Sequence, residues 1–167
     1  MKKLFILLSM GMLLISCIEA EVSADEKPST KDGALAHEDI DTQNELNGKI
    51  NGASWRYTYA IAKKSILDPT KYNYSFYDEE ISDACSHFPQ AAMALYSGKL
   101  EVSKISFNNL NNMTLSFNSD NGYQNLIATI GFIKIEEIND DFAYATLKAA
   151  YDPQNYLGGK VEIKICD

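Results

Sequence analysis

Most of the chain after residue 46 alternates between apolar and polar residues, and this pattern limits the fold more than any other feature. A period of two is that of a β-strand with one face buried and one exposed. The alternating runs are separated by turn residues such as Asn51-Gly52 and Asp152-Pro153, and no internal repeat is present. The runs cover residues 48–62, 71–78, 99–109, 112–138 and 141–167.

One of these runs predicts a hairpin. Met113, Leu115 and Phe117 alternate with polar residues up to Asp120-Asn121-Gly122, a strong signal for a tight turn. Only the stretch around residues 79–98 departs from the pattern, and its Ala-rich part, Gln90 to Tyr96, could form a turn or two of helix. We therefore predict one mainly β domain over residues 47–167, an antiparallel β-sandwich or a barrel-like domain.

The amino-terminal residues have the composition of a secretory signal. Met1-Lys2-Lys3 provides a charged start, and Leu4 to Ile15 is apolar except for Ser9 and Gly11. Polarity returns at Glu19, so the apolar stretch is shorter than the about 20 residues of a spanning helix.

The end of this leader, Leu14-Ile15-Ser16-Cys17, resembles the lipobox of bacterial lipoproteins. The resemblance implies cleavage of residues 1–16 as a signal peptide. It also implies diacylglycerol on the Cys17 sulfur and acylation, for example with palmitate, of the new amino group. Ile18 stands where Asp would resemble an inner-membrane retention signal, which favours the outer membrane. The alternative is an ordinary secretory signal with an incidental cysteine.

Residues 17–46 form an acidic segment between the leader and the β domain. Nine acidic residues and two lysines lie between Ile18 and Leu46, without any aromatic residue. Such a composition favours a disordered tether. A short helix from Leu35 to Glu45, capped by Asp32, is the alternative. The net charge of −8 and the lack of a basic patch in the sequence argue against nucleic acid or anionic lipid headgroups as partners.

Two cysteines, Cys85 and Cys166, remain once Cys17 carries lipid. An even pair in an oxidising compartment indicates a disulfide. Strand parity places Cys166 opposite the apolar face formed by Val161 and Ile163, so the bridge would strap the irregular segment over the outer face or edge of the last strand. Two unpaired thiols are the alternative.

The β region also resembles the C-terminal domain of uncharacterised small bacterial lipoproteins. The resemblance rests on a Gly-x-x-Asn-Gly-x-x-Trp opening and on a final strand with spaced Asn, Gly and Cys. It implies a β-rich fold and no known activity. The matching residues are Gly48, Asn51, Gly52, Trp55, Asn155, Gly159 and Cys166.

No catalytic or metal-binding constellation stands out. Ser86 precedes His87, but neighbours on an extended chain point apart and no nucleophile elbow is present. Cys85 and His87 are too few ligands for zinc. The acids at 78–80 and around Asp120 lack the ligand spacing of a full calcium loop. We predict no enzymatic activity, no metal and no cofactor.

The aromatic residues of two runs have two interpretations. Exposed, they would form a platform for stacking sugar rings; buried, they would be the core faces of their strands, which their polar neighbours favour. They are Trp55, Tyr57, Tyr59, Tyr72 and Tyr74.

The sequence thus predicts an envelope lipoprotein whose β domain is a non-enzymatic structural or interaction module. Its partners would be the membrane, through the lipid on Cys17, and an envelope protein or glycan. A glycan-binding module is the alternative, followed by an extracytoplasmic hydrolase. The solvent accessibility of Trp55, Tyr72 and Tyr74 separates the first two, and a cleft of converging carboxylates near His87 would favour the third.

Overall fold

A computed structural model of the full chain describes residues 39–83, 85–86 and 93–166. Eleven strands lie within the described residues, and their turns account for most of the remainder. The strands are β1 (Asn47–Ile50), β2 (Ala53–Arg56), β3 (Tyr59–Lys64), β4 (Tyr72–Tyr77), β5 (Ala94–Gly98), β6 (Ser103–Ser106), β7 (Met113–Ser119), β8 (Gly122–Ala128), β9 (Ile130–Ile138), β10 (Phe142–Asp152) and β11 (Asn155–Cys166).

The strands form one curled, open sheet, a half-barrel. Its order is β6-β9-β10-β11-β3-β4-β5-β7-β8, with β1 added to β11 and β2 to β1. The mainly β prediction is confirmed, and the architecture is closer to the barrel-like form than to a sandwich. The sheet is antiparallel except for β11 and β3, which pair in parallel with Lys164 opposite Ile61. The prediction of a purely antiparallel domain was therefore wrong at this junction.

The concave face of the sheet holds the main core. Tyr74 and Phe76 of β4 are fully buried and Tyr96 of β5 nearly so, with the Tyr74 and Tyr96 ring centroids 5.4 Å apart. The inward residues of β10 are mostly small, as at Ala143 and Ala145. Large rings packed with small side chains within one core cluster allow a strongly curled sheet to fill its interior without voids.

The first predicted run, residues 48–62, contains three strands: the part after the predicted Asn51-Gly52 turn divides into β2 and β3. The Tyr57 amide donates to the Leu46 carbonyl at 3.0 Å, and the Thr58 amide donates to the Tyr77 carbonyl at 2.8 Å. The chain therefore leaves β1 and joins β4 between these two residues. Alternation in the sequence does not reveal such a change of partner, because the backbone stays extended on both sides of it.

Residues 39–46, which the sequence assigned to the tether, pack against β11. Ile40 is 6% exposed and Leu46 is completely buried. The Leu46 amide donates to the Lys160 carbonyl at 2.8 Å, and the Lys160 amide donates to the Asn44 carbonyl at 2.7 Å. The folded region therefore begins before Asn47, and the described part of the alternative helix, residues 39–45, contains no α-helix: it bends repeatedly and pairs with β11 at Glu45.

Gly158-Gly159 lies inside β11 and is not a turn. A Cβ on Gly159, whose φ is +144°, would lie 2.5 Å from the Cα atom of Leu46. A Cβ on Gly158 would overlap the Ile40 side chain and the Asp41 carbonyl. The two glycines thus allow residues 40–46 to cross β11 at close range.

The residues that carry the resemblance to small lipoproteins have structural roles. The Asn51 amide donates to the Asn155 side-chain oxygen at 2.7 Å, and the Gly52 amide donates to the Gln154 carbonyl at 2.9 Å. These bonds fasten the β1–β2 turn to the β10–β11 turn. Trp55 is 4% exposed in the core.

The hairpin prediction is confirmed, because Ser119 pairs with Gly122 at the β7–β8 turn. The helix prediction for residues 90–96 was wrong where it can be compared, since Ala94 to Tyr96 belong to β5; residues 90–92 lie outside the described residues. In the described parts of the chain, no helix is long and apolar enough to cross a membrane.

The predicted disulfide between Cys85 and Cys166 is present, with Cα atoms 5.2 Å apart. It lies on the convex face of the sheet, where Ile61, Tyr77 and Cys166 form a second, smaller buried cluster. The Lys63 ammonium donates to the Cys85 carbonyl at 2.7 Å. Cys85 itself therefore lies over the ends of β3 and β11 on this face, as the parity of Cys166 predicted.

Candidate functional site

A surface groove of about 480 Å³ lies where residues 43–45 and Tyr57 meet β9, β10 and β11. We call it the Glu–Tyr groove. It combines two tyrosines, three glutamates and one lysine. The lining side chains are Gln43, Asn44, Glu45, Tyr57, Glu136, Tyr144, Ala145, Lys160, Val161 and Glu162.

Strand register brings the two tyrosines together at Glu162. Tyr144 of β10 lies directly opposite Glu162 of β11 in the antiparallel ladder. The Tyr57 hydroxyl donates to the Glu162 backbone carbonyl at 2.8 Å. One residue of β11 thus interacts with one phenol through its side chain and with the other through its main chain, which places both tyrosines beside Glu162.

A β-bulge places Glu136 in the groove. Glu137 pairs with Tyr144 and Ile135 pairs with Ala145, which leaves Glu136 as the extra residue of β9. A bulge bends its strand and re-aims the side chain of the extra residue. The Lys134 ammonium donates to the Glu136 carboxylate at 2.8 Å. This bond lowers the pKa of Glu136, which therefore stays ionised and is unsuited to act as a general acid.

Both tyrosines are held in the neutral form. Burial is the main cause that raises the pKa of Tyr57 to about 12, and the negative charges of Glu162 and Glu45 add to it. Hydrogen bonding with the Glu162 side chain is the main cause that raises the pKa of Tyr144. The groove therefore contains two neutral phenols and the ionised carboxylate of Glu136 across the physiological pH range.

The acids of the groove are partly neutralised at its rim. Arg56 approaches Glu45 at 3.8 Å, with both side chains largely exposed, so this pair adds little stability. Lys160 lies between Glu45 and Glu162 among the lining residues. Carboxylates, phenols and one ammonium offer both hydrogen-bond acceptors and donors, which is the set that binds a hydroxyl-rich neutral ligand.

The aromatic platform predicted from sequence is divided by the fold. Trp55 and Tyr74 are buried in the main core, so neither is accessible to a ligand in this structure. Tyr72 is half-buried against the same core, and Tyr59 packs against the cluster near the disulfide. Of the five, only Tyr57 lines the Glu–Tyr groove.

The other candidates do not assemble into a site within the described residues. Asp78, Glu79, Glu80 and Asp83 are exposed. No three His, Cys, Asp or Glu side chains of the described residues are grouped so that they could hold a metal ion. Cys17 and His87 lie outside the described residues.

The sequence analysis missed most of the groove, namely Tyr144, Glu136, Glu162, Lys160 and residues 43–45. Two signals were present in the sequence. Tyr144 shares strand parity with the polar residues Thr146 and Lys148, which marks it as outward-facing, although Lys148 itself is buried. The doublet Glu136-Glu137 interrupts the alternation of β9, as a bulge does.

Comparison of the chain with protein-family models, with curated proteins and with solved structures gave no match. The functional argument therefore depends on the residues and their geometry.

Proposed function

We propose that the chain is a lipid-anchored protein of the bacterial cell envelope whose β domain is a non-enzymatic binding or structural module. The disulfide is the observation that carries this proposal. A buried bridge that joins a loop to the last strand is typical of a protein that matures in an oxidising compartment. The lipobox resemblance at Cys17 supports the same location, on the outer membrane.

The intact mass of the mature protein extracted from membranes tests this proposal. We expect the mass of a chain that starts at Cys17 and carries acyl groups. We expect no alkylation before reduction and alkylation of two cysteines, Cys85 and Cys166, after it. A soluble product without lipid, or two thiols that react without reductant, would contradict the proposal.

A second candidate function, glycan binding, is supported by the Glu–Tyr groove. Tyr57 and Tyr144 are both partly exposed, and both belong to a groove whose other lining groups are mainly carboxylates and amides. Sugar rings stack on aromatic faces, and their hydroxyls bond to carboxylates and phenols. Envelope glycans would be the ligand class available to a protein anchored in that compartment.

Titration of the isotopically labelled protein with soluble peptidoglycan fragments, followed by amide chemical shifts, tests glycan binding. We expect shifts at Tyr144, Glu162 and the bulge at Glu136, and their loss in Tyr144→Ala. Tyr123→Ala is the matched control, because Tyr123 is also exposed on a strand but lies on β8, outside the groove. Equal weakening by both variants, or no shifts in the groove, would rule out this function.

A further inference from the structure

Three loops meet at one end of the sheet. The β3–β4 loop (65–71), the β5–β6 loop (99–102) and the β6–β7 loop (107–112) all contribute to a single cleft of about 440 Å³. Lys71, Lys99 and Leu110 line it, one from each loop. We call these three loops the loop end.

The loop end carries the most exposed large apolar side chains of the described residues. Leu67 is 97% exposed, Leu110 90%, Ile66 76% and Val102 65%. They occupy loop tips and not one flat patch, so each side chain projects separately. Single exposed apolar residues are ordinary, but four of them on three adjoining loops concentrate exposed apolar surface at one end of the sheet.

The loop end is also basic in an acidic protein. Four lysines lie on these loops or on the strand residues beside them, namely Lys64, Lys71, Lys99 and Lys104. The same stretches hold two acids, Asp68 and Glu101, and Asp68 lies 3.5 Å from the Lys71 ammonium. The three loops alone are balanced, and Lys64 and Lys104 on the adjoining strands give the excess of two positive charges, whereas the whole chain has a net charge of −8. Sequence order separates these lysines, and the fold brings them to one end.

We propose that the loop end docks onto an anionic lipid surface, with the leucine tips inserted and the lysines at the headgroups. Separate, protruding tips suit a deformable apolar medium, because each can insert without a complementary pocket, whereas a protein partner would need a contiguous matching surface. Lysine stems lie along apolar surface while their ammonium groups reach anionic headgroups. The positive charge of this end is complementary to that surface and opposite to the charge of the rest of the chain.

The proposal rests on the proposed lipid anchor only for bringing the domain to the membrane. Residues 40 and 41 contact β11 at Gly158. The β3–β4 loop begins beside Cys166, at the other end of the same strand, about 26 Å from Gly158. The chain from Cys17 to Asp39 can span at most about 75 Å. An anchor on Cys17 therefore leaves enough chain for the loop end to face the lipid.

The test measures insertion of a fluorescent bimane label into the bilayer, with the mature lipidated protein reconstituted into vesicles. Leu110→Cys and Leu67→Cys carry the label at the loop end. Asp120→Cys is the matched control, because Asp120 is exposed in the turn at the opposite end of β7, about 20 Å from the β6–β7 loop. Brominated lipids quench a label only where it enters the bilayer. The vesicles are phosphatidylcholine alone or equimolar phosphatidylcholine and phosphatidylglycerol.

We expect both leucine-site labels to lie about 5–10 Å below the headgroup boundary in the anionic vesicles, with the control label unquenched. Lys71→Glu/Lys99→Glu should weaken this quenching, as should high salt. Equal quenching at all sites, or none at the leucine sites, would overturn the proposal, as would quenching unaffected by lipid charge. The intact mass of the protein measures lipid on Cys17 separately. Quenching in a protein that has no lipid on Cys17 would support docking and refute the anchor. Lipid on Cys17 without quenching would support the anchor and refute docking.

Discussion

Removal of the Cys85–Cys166 bridge should cost a large part of the stability of the domain. The bridge joins residues 81 positions apart, for which the chain-entropy relation gives about 4.5 kcal/mol at about 25 °C. Domains of this size have a free energy of unfolding of about 5–15 kcal/mol. Reduction should also loosen the small cluster of Ile61 and Tyr77 on the convex face, because the bridge holds Cys85 against that cluster.

Urea unfolding of the oxidised protein, the reduced protein and Cys85→Ala/Cys166→Ala measures this loss. Alanine is chosen because Cys166 is 2% exposed and a serine would bury a hydroxyl. We expect the reduced protein and the double alanine variant to lose about 4–5 kcal/mol of unfolding free energy relative to the oxidised protein. Their m values should be larger, because the unfolded chain without the bridge is more expanded. A loss below about 1 kcal/mol would refute the reasoning, since the open chain would then be almost as constrained as the bridged one.

Three further predictions concern the packing of β11 and the groove. Gly122→Ala should lower the free energy of unfolding in urea by about 1–3 kcal/mol for its positive φ alone, because no atom lies near its Cβ position. Gly159→Ala should lower it by about 1–3 kcal/mol more, because its Cβ also displaces residues 45–46. Equal losses in the two variants would contradict this packing. Asn155→Ala should cost about 1–3 kcal/mol, since it leaves a backbone amide of the β1–β2 turn without its acceptor, and an unchanged urea midpoint would argue against that bond. Because the pKa of Tyr57 is raised in the folded state to about 12, its contribution to stability is present below pH about 10 and is lost as pH rises toward about 12. Tyr57→Phe should remove one phenol transition near pH 12 from an absorbance titration and flatten this part of the stability profile, and an unaltered titration would contradict the shift.

Local alternation was sufficient to predict the strands that keep one partner along their length. The β7–β8 hairpin and the faces of β4 follow directly from it, as does the parity that places Cys166 on the convex side of β11. It failed where long-range contacts decide the structure. Tyr57 lies between two strands because the chain changes partners there, and Gly158-Gly159 stays inside a strand because another segment crosses it. Neither contact leaves a local pattern.

The prediction of a disordered tether up to residue 46 was wrong at its end for a related reason. With nine acids and no aromatic residue, residues 18–46 have the average character of a tether. Two apolar side chains, Ile40 and Leu46, are nevertheless buried, and two backbone hydrogen bonds to Lys160 hold the end of the segment in place. A few specific contacts at close range outweigh an average, because glycine at 158 and 159 lets the backbones approach.

Charge shows the same difference between an average and an arrangement. A net charge of −8 and lysines scattered along the sequence predict a chain repelled by anionic lipid. Strand order instead collects Lys71 and Lys99 at the loop end, while Glu136 and Glu162 lie in a groove that shares no residue with that end. Within a Debye length of about 8 Å a lipid headgroup responds to the nearest side chains and not to the total charge. An acidic domain can therefore approach an anionic surface in one orientation, with its lysine-bearing end toward the headgroups.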